Sequence, residues 1–107
     1  MRGDVHELKK ARDTVGHEQR GQRYAVVVQA TALSGLSTWV VCPTSASASA
    51  APYRPLVDWG DGDTRVMVEQ AMSVDPSRLG LQVGHLPHGS EEMDRIGRAL
   101  KLMLSLT

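Results

Sequence analysis

Apolar positions along this chain follow one short period for most of its length and a longer one at the end. Arg23 to Gln29 places Val26, Val27 and Val28 in an unbroken β-branched run behind Tyr24. That pattern predicts a strand buried on both faces. Thr38-Trp-Val-Val-Cys-Pro-Thr44 repeats it, and Ala32-Leu-Ser-Gly-Leu-Ser37 between them is a short, glycine-marked connection. Ser45-Ala-Ser-Ala-Ser-Ala-Ala-Pro52 holds no side chain large enough to anchor it, so a flexible surface loop is expected. Arg54 to Trp59 alternates loosely as a third strand, and Gly60-Asp-Gly-Asp63 has hairpin-turn composition. Thr64 to Val74 reads as one long strand, bent near its middle. Asp75 then caps a single turn, with Pro76 at its first position and Gly80 as its stop. Leu81 to Leu86 is a further short strand.

At Ser90 the period changes. Ser90 is a good helix N-cap, and Glu91, Glu92 and Asp94 crowd the first turn, where the helix dipole favours anions. Met93, Ile96, Leu100, Met103 and Leu104 fall three and four apart, with Ala99 and Leu102 widening the stripe. The polar face mixes both signs, so the stripe is expected to face a core rather than a membrane. Five or six short strands and one terminal helix, without β-α alternation, predict a mainly β fold: a small antiparallel barrel with the helix packed on it.

Length and charge narrow the class. A chain of 107 residues is expected to form one domain, spanning 1–107. No apolar run is long enough to span a bilayer and no signal-peptide stretch opens the chain, so a cytoplasmic protein is expected. Cys42, the single cysteine, lies among apolar neighbours and is expected to be a buried, inert thiol. Twelve basic residues balance twelve acidic ones, which excludes a grip on nucleic acid by bulk charge alone. The charges are unevenly spread: residues 24–53 contain none, which marks that block as the core. The acidic turn Gly60-Asp-Gly-Asp63 lacks the ligand spacing and distal Glu of a calcium loop. His85 and His88 have no evident third ligand, so no metal site is expected.

An ordered series of short motifs runs the length of the chain. Arg2-Gly-Asp-Val5 is followed by Gly16-His-Glu-Gln-Arg-Gly21 and Arg23-Tyr-Ala-Val-Val-Val28. Val41-Cys-Pro-Thr-Ser45, Asp63-Thr-Arg-Val-Met-Val-Glu-Gln70 and Val74-Asp-Pro-Ser-Arg-Leu79 come next, then the helix. Each motif alone is weak, but their order and spacing resemble the MazF/PemK toxins. The resemblance implies a Src-homology-3-like antiparallel barrel of the MazF/CcdB type and a homodimer. It further implies sequence-specific, cofactor-independent cleavage of single-stranded RNA, which inhibits translation and growth, and neutralisation by a cognate MazE-like antitoxin. The chain departs from the family's pattern at three places. Tyr24 stands where a Pro is usual, His17 where a small hydroxyl residue is usual, and the His6–Lys10 stretch where the first strand is aromatic-rich.

RNA carries its own nucleophile, the 2′-hydroxyl. A metal-free site therefore has to align that oxygen, stabilise charge on the phosphate and move protons. Read from the residues alone, Arg23 is an ordinary strand-edge cation and Thr44 a strand terminus. The resemblance makes both catalytic candidates, Arg23 forking onto two phosphate oxygens and Thr44 donating one hydrogen bond. Arginine is a poor general base. His17, with an ordinary pKa of about 6.5, is this chain's own candidate for proton transfer. Glu18, Gln19, Arg20, Glu69, Gln70 and Tyr53 are candidate RNA-binding residues, Tyr53 as a stacking platform. Trp39, flanked by core residues, is expected to be buried. Two alternatives share the barrel. One is a CcdB-type gyrase-poisoning toxin, whose aromatic chain end Leu104-Ser-Leu-Thr107 does not resemble; the other is a non-catalytic RNA-binding barrel.

Overall fold

The computed structural model describes residues 1–9 and 23–106. Seven strands and one helix are formed among them: β1 (Asp4–Leu8), β2 (Arg23–Val27), β3 (Trp39–Ser45), β4 (Leu56–Val57), β5 (Thr64–Val66), β6 (Met72–Val74), β7 (Leu79–His85) and α1 (Glu91–Leu104). All pairings are antiparallel, in the order β4-β5-β3-β2-β1-β7, with β6 also on β3. The sheet curls into a half-barrel, the architecture expected from the pattern. No helix among the described residues is long and apolar enough to cross a membrane.

The run of valines works because a strand sends alternate side chains to opposite faces. Val26 of β2 and Val28 just beyond its end join Cys42, Val66, Ile96 and Met93 in the layer between sheet and helix. Ala25 and Val27 point the other way, to Leu8, Val41, Val74 and Leu79. Both faces of β2 and β3 are thus covered, which accounts for the missing charge over 24–29 and 39–45; residues 30–38 of the same uncharged block are exposed, so the block is core only along its two strands.

Three expectations are revised by tertiary packing. The long strand over 64–74 is two strands. Its pairing with β3 moves from Thr44↔Val66 to Val41↔Met72, six residues against three. The surplus is a 3-10 turn, Val68–Gln70, that drives Val68 into the core at 1% exposure. The loop over 45–52 is held from outside itself: Arg54 Nη1 donates to the Ser49 carbonyl at 3.3 Å and to its Oγ at 3.1 Å. Trp39 is half-buried rather than buried, its Nε1 donating to the Ser34 carbonyl at 3.1 Å.

The helix begins as its sequence dictates, with Ser90 Oγ accepting from Met93 N at 3.2 Å. Only the first part of the apolar stripe is buried. Met93, Ile96 and Ala99 are in the core and Leu100 packs against it, whereas Met103 and Leu104 are exposed, as is Leu102 beside them. The helix stops at Ser105, in the left-handed region at φ 57°. Asp75 caps the turn at Pro76–Arg78, accepting from Ser77 N at 2.9 Å.

Candidate functional site

The first residue of β2 and the last positions of β3 meet at one end of the half-barrel. Pairing of Ala25 with Pro43 continues toward Tyr24 opposite Thr44. Thr44 is buried, and its Oγ1 lies 3.5 Å from the Tyr24 carbonyl. That distance is at the outer limit of a hydrogen bond, so the hydroxyl remains available to a better acceptor. Arg23 and Thr44 both line a groove of about 420 Å³.

The opposite wall comes from a remote part of the chain. Trp59, Asp61, Asp63 and Thr64 line the groove from the β4–β5 hairpin. Trp59 is fixed on two sides. Tyr24 meets it edge-on, with ring centroids 5.6 Å apart and planes at 62°. Gly84 of β7 supplies flat backbone behind it, where an added Cβ would lie 2.5 Å from the indole Cδ1. The hairpin turn itself is built by Asp58, whose Oδ1 accepts from Gly60 N at 2.7 Å and Gly62 N at 3.1 Å. Both glycines need positive φ, 117° and 89°. Asp58 therefore serves the turn, while Asp61 and Asp63 are exposed at the groove. The groove presents a guanidinium and hydroxyls at one side, carboxylates at the other, and aromatic surface between. It can hold a phosphate against Arg23 and a planar ring against the aromatic wall.

The remaining candidates lie elsewhere. Glu69 is held by Arg54, with Oε2 2.6 Å from Nη2 and 2.8 Å from Nε. Tyr53 lies beside the same guanidinium, its ring centroid 5.6 Å from the Arg54 Cζ. Gln70 is exposed, and none of these three lines the groove. His17, Glu18, Gln19 and Arg20 lie outside the described residues. Trp59, Asp61 and Asp63 escaped the sequence reading because a turn motif explains Gly60-Asp-Gly-Asp63 fully. The only signal was an aromatic directly before an acid-rich hairpin.

The Arg54 hydrogen bond holds the Glu69 carboxyl below its usual range, against a smaller opposing effect of burial. Nearby Cys42, with no exposed surface, has its thiol pushed up to about 12 by burial and by Glu69, and is inert. A carboxyl depressed in the folded state stabilises the fold above its unfolded pKa. That contribution is lost as pH falls through the lower folded value. Melting temperatures measured from pH 7 to pH 3 should therefore fall on acidification below the ordinary glutamate range. Arg54→Met should flatten that acid limb. An unchanged limb in Arg54→Met would remove Glu69 as its origin.

Comparison with known proteins places this architecture. The profile of the PemK-like, MazF-like toxins of type II toxin–antitoxin systems matches residues 1–104. A candidate toxin of Mycobacterium tuberculosis, Rv3098A, is 38% identical over 74 residues, 69% of each chain. The fold superposes on the Mycobacterium tuberculosis toxin MazF-mt6 with a TM-score of 0.75 at 14% identity, covering 97% of this chain and 98% of that one. It also matches the MazE–MazF complex (Form-II) of Deinococcus radiodurans, with a TM-score of 0.78 at 23% identity, covering 99% and 96%. A mycobacterial endoribonuclease in complex with its cognate antitoxin gives 0.79 at 18% identity, covering 100% and 96%. The fold and motif order define a toxin-type half-barrel. The chain belongs to the PemK-like, MazF-like family of type II toxin–antitoxin toxins.

Proposed function

We propose that this protein is a metal-independent, sequence-specific endoribonuclease toxin acting on single-stranded RNA. The observation that carries the reading is the convergence of Arg23 and Thr44 on one groove beside an aromatic wall. The RNA 2′-oxygen attacks the adjacent phosphorus, the bond to the 5′-oxygen breaks, and a 2′,3′-cyclic phosphate and a 5′-hydroxyl result. Arg23 spreads its donors over the non-bridging phosphate oxygens as charge builds there. Thr44 donates a further hydrogen bond. The proton leaving the 2′-hydroxyl needs an acceptor and the departing 5′-oxygen a donor; His17 is assigned that traffic. Glu18, Gln19, Arg20, Gln70, Glu69 and Tyr53 remain proposed RNA contacts outside the groove's described lining.

Partners follow from the same reading. Related toxins have been solved with cognate antitoxins, which supports a MazE-like antitoxin here. A homodimer acting in the cytoplasm is part of the proposal. It is supported by apolar side chains left open on edge strand β7 (Leu81, 72% exposed) and at the end of α1 (Leu104, 59%).

Incubating purified protein with mixed RNA in EDTA, and mapping the ends, tests the reading. Discrete cuts with 5′-hydroxyl ends are expected. Binding without cutting, or trapping of gyrase on DNA, would overturn it in favour of a non-catalytic barrel or a CcdB-type toxin.

A further inference from the structure

The groove offers more than phosphate binding requires. Besides Arg23 and Thr44 it contains two exposed carboxylates that the hairpin does not need, since Asp58 alone builds the turn. Carboxylates beside a phosphate site weaken the grip on phosphate, so their presence calls for a second ligand group with donors to offer. Thr64 supports this independently. It is 7% exposed and opens onto the groove, and among the described residues its hydroxyl has no hydrogen-bond partner. Trp59 separates the groove from a second concavity of about 330 Å³, and Asp61 and Tyr24 line both. Asp61 thus stands at the edge of an aromatic platform held rigid by Tyr24 and Gly84.

We infer that Asp61 reads a guanine base, stacked on Trp59, next to the phosphate held by Arg23. This deepens the proposed RNA-cleaving function and rests on it for the phosphate. The argument is one of donor pattern. A carboxylate is acceptor-only and takes two parallel donors. Guanine is the only base whose Watson–Crick edge carries two adjacent donors, N1–H and the N2 amino group. Its O6 then faces a donor, the role of the Thr64 hydroxyl. Adenine and cytosine each place a ring acceptor beside their amino group. Uracil flanks its single N–H with two carbonyls. Asp63, on the same wall, adds negative potential that disfavours these three edges, each of which sets an acceptor directly beside its donor group. Stacking on the indole is base-tolerant, so selection falls to the carboxylate.

The test separates binding from cutting. Fluorescent single-stranded oligonucleotides with 2′-deoxy sugars, which cannot be cleaved, carry guanine, inosine or 7-deazaguanine at one position among uridines. Anisotropy titration should show guanine and 7-deazaguanine binding about equally. Inosine, lacking the N2 donor, should bind about tenfold more weakly. Asp61→Asn, which replaces one acceptor with a donor, should erase that difference while leaving the melting temperature unchanged. Mapped cuts in ordinary RNA should cluster beside guanine and lose that preference in the variant. Equal binding of guanine and inosine by the wild type would overturn the inference, and so would retained discrimination in Asp61→Asn. Guanine-selective binding without any cutting would instead overturn the nuclease reading and leave base recognition standing.

Discussion

Replacing Arg23 with Ala is expected to slow RNA cleavage by about 10²- to 10³-fold, the usual cost of removing a preorganised donor from developing oxyanion charge. The fold should be indifferent to the change. Arg23 is the first residue of β2 and only half-buried, and its pairing with Leu8 across β1 is made by backbone atoms. Arg23→Lys keeps the charge but loses the fork that addresses two phosphate oxygens together, so an intermediate loss is expected. Single-turnover cleavage of an oligonucleotide containing a mapped site, alongside thermal melting, measures both effects. A variant that melts normally and still cuts at more than about a tenth of the wild-type rate would remove Arg23 from the centre of the chemistry.

The parts of the fold legible in the sequence were those decided locally. Three consecutive valines behind Tyr24 suit a strand covered on both faces and little else. Ser90 followed by three acids within four residues announces a helix start that the Ser90 Oγ bond then makes. The break between β5 and β6 was not legible in the same way. Residues 64–74 have continuous strand propensity, and the 3-10 turn arises because Val68 finds more burial beneath α1 than an unbroken ladder would allow. Anchoring of the 45–52 loop was hidden for a related reason, since its anchor, Arg54, lies outside the segment and faces Glu69. The candidate site divides along the same line. Arg23 and Thr44 have the local pattern of strand ends, and only the ordered motif series distinguishes them. Trp59, Asp61 and Asp63 carry only the weak mark of an aromatic before an acid-rich turn; the pairing of β5 with β3 carries their hairpin across to Tyr24.

Truncating Ile96 to Ala should be the most destabilising single change in the described core. Ile96 is fully buried between helix and sheet, in one cluster with Val5 of β1, Val26 of β2 and Val57 of β4. Removing its branched side chain loses transfer free energy and leaves a cavity bounded by strands that cannot collapse inward. The expected cost is about 3–4 kcal/mol. A domain of this size has only about 5–15 kcal/mol to lose, so the melting temperature should drop by about 10–25 °C. Leu104→Ala lies on the same nominal stripe but at an exposed position, and in an isolated chain it should cost under about 0.5 kcal/mol. Urea denaturation of the two variants at several protein concentrations separates packing within the chain from packing between copies. An Ile96 penalty independent of concentration belongs to the fold. A Leu104 penalty that grows with concentration means a second copy covers the end of α1, because dimer stability scales with the concentration of partners and core stability does not.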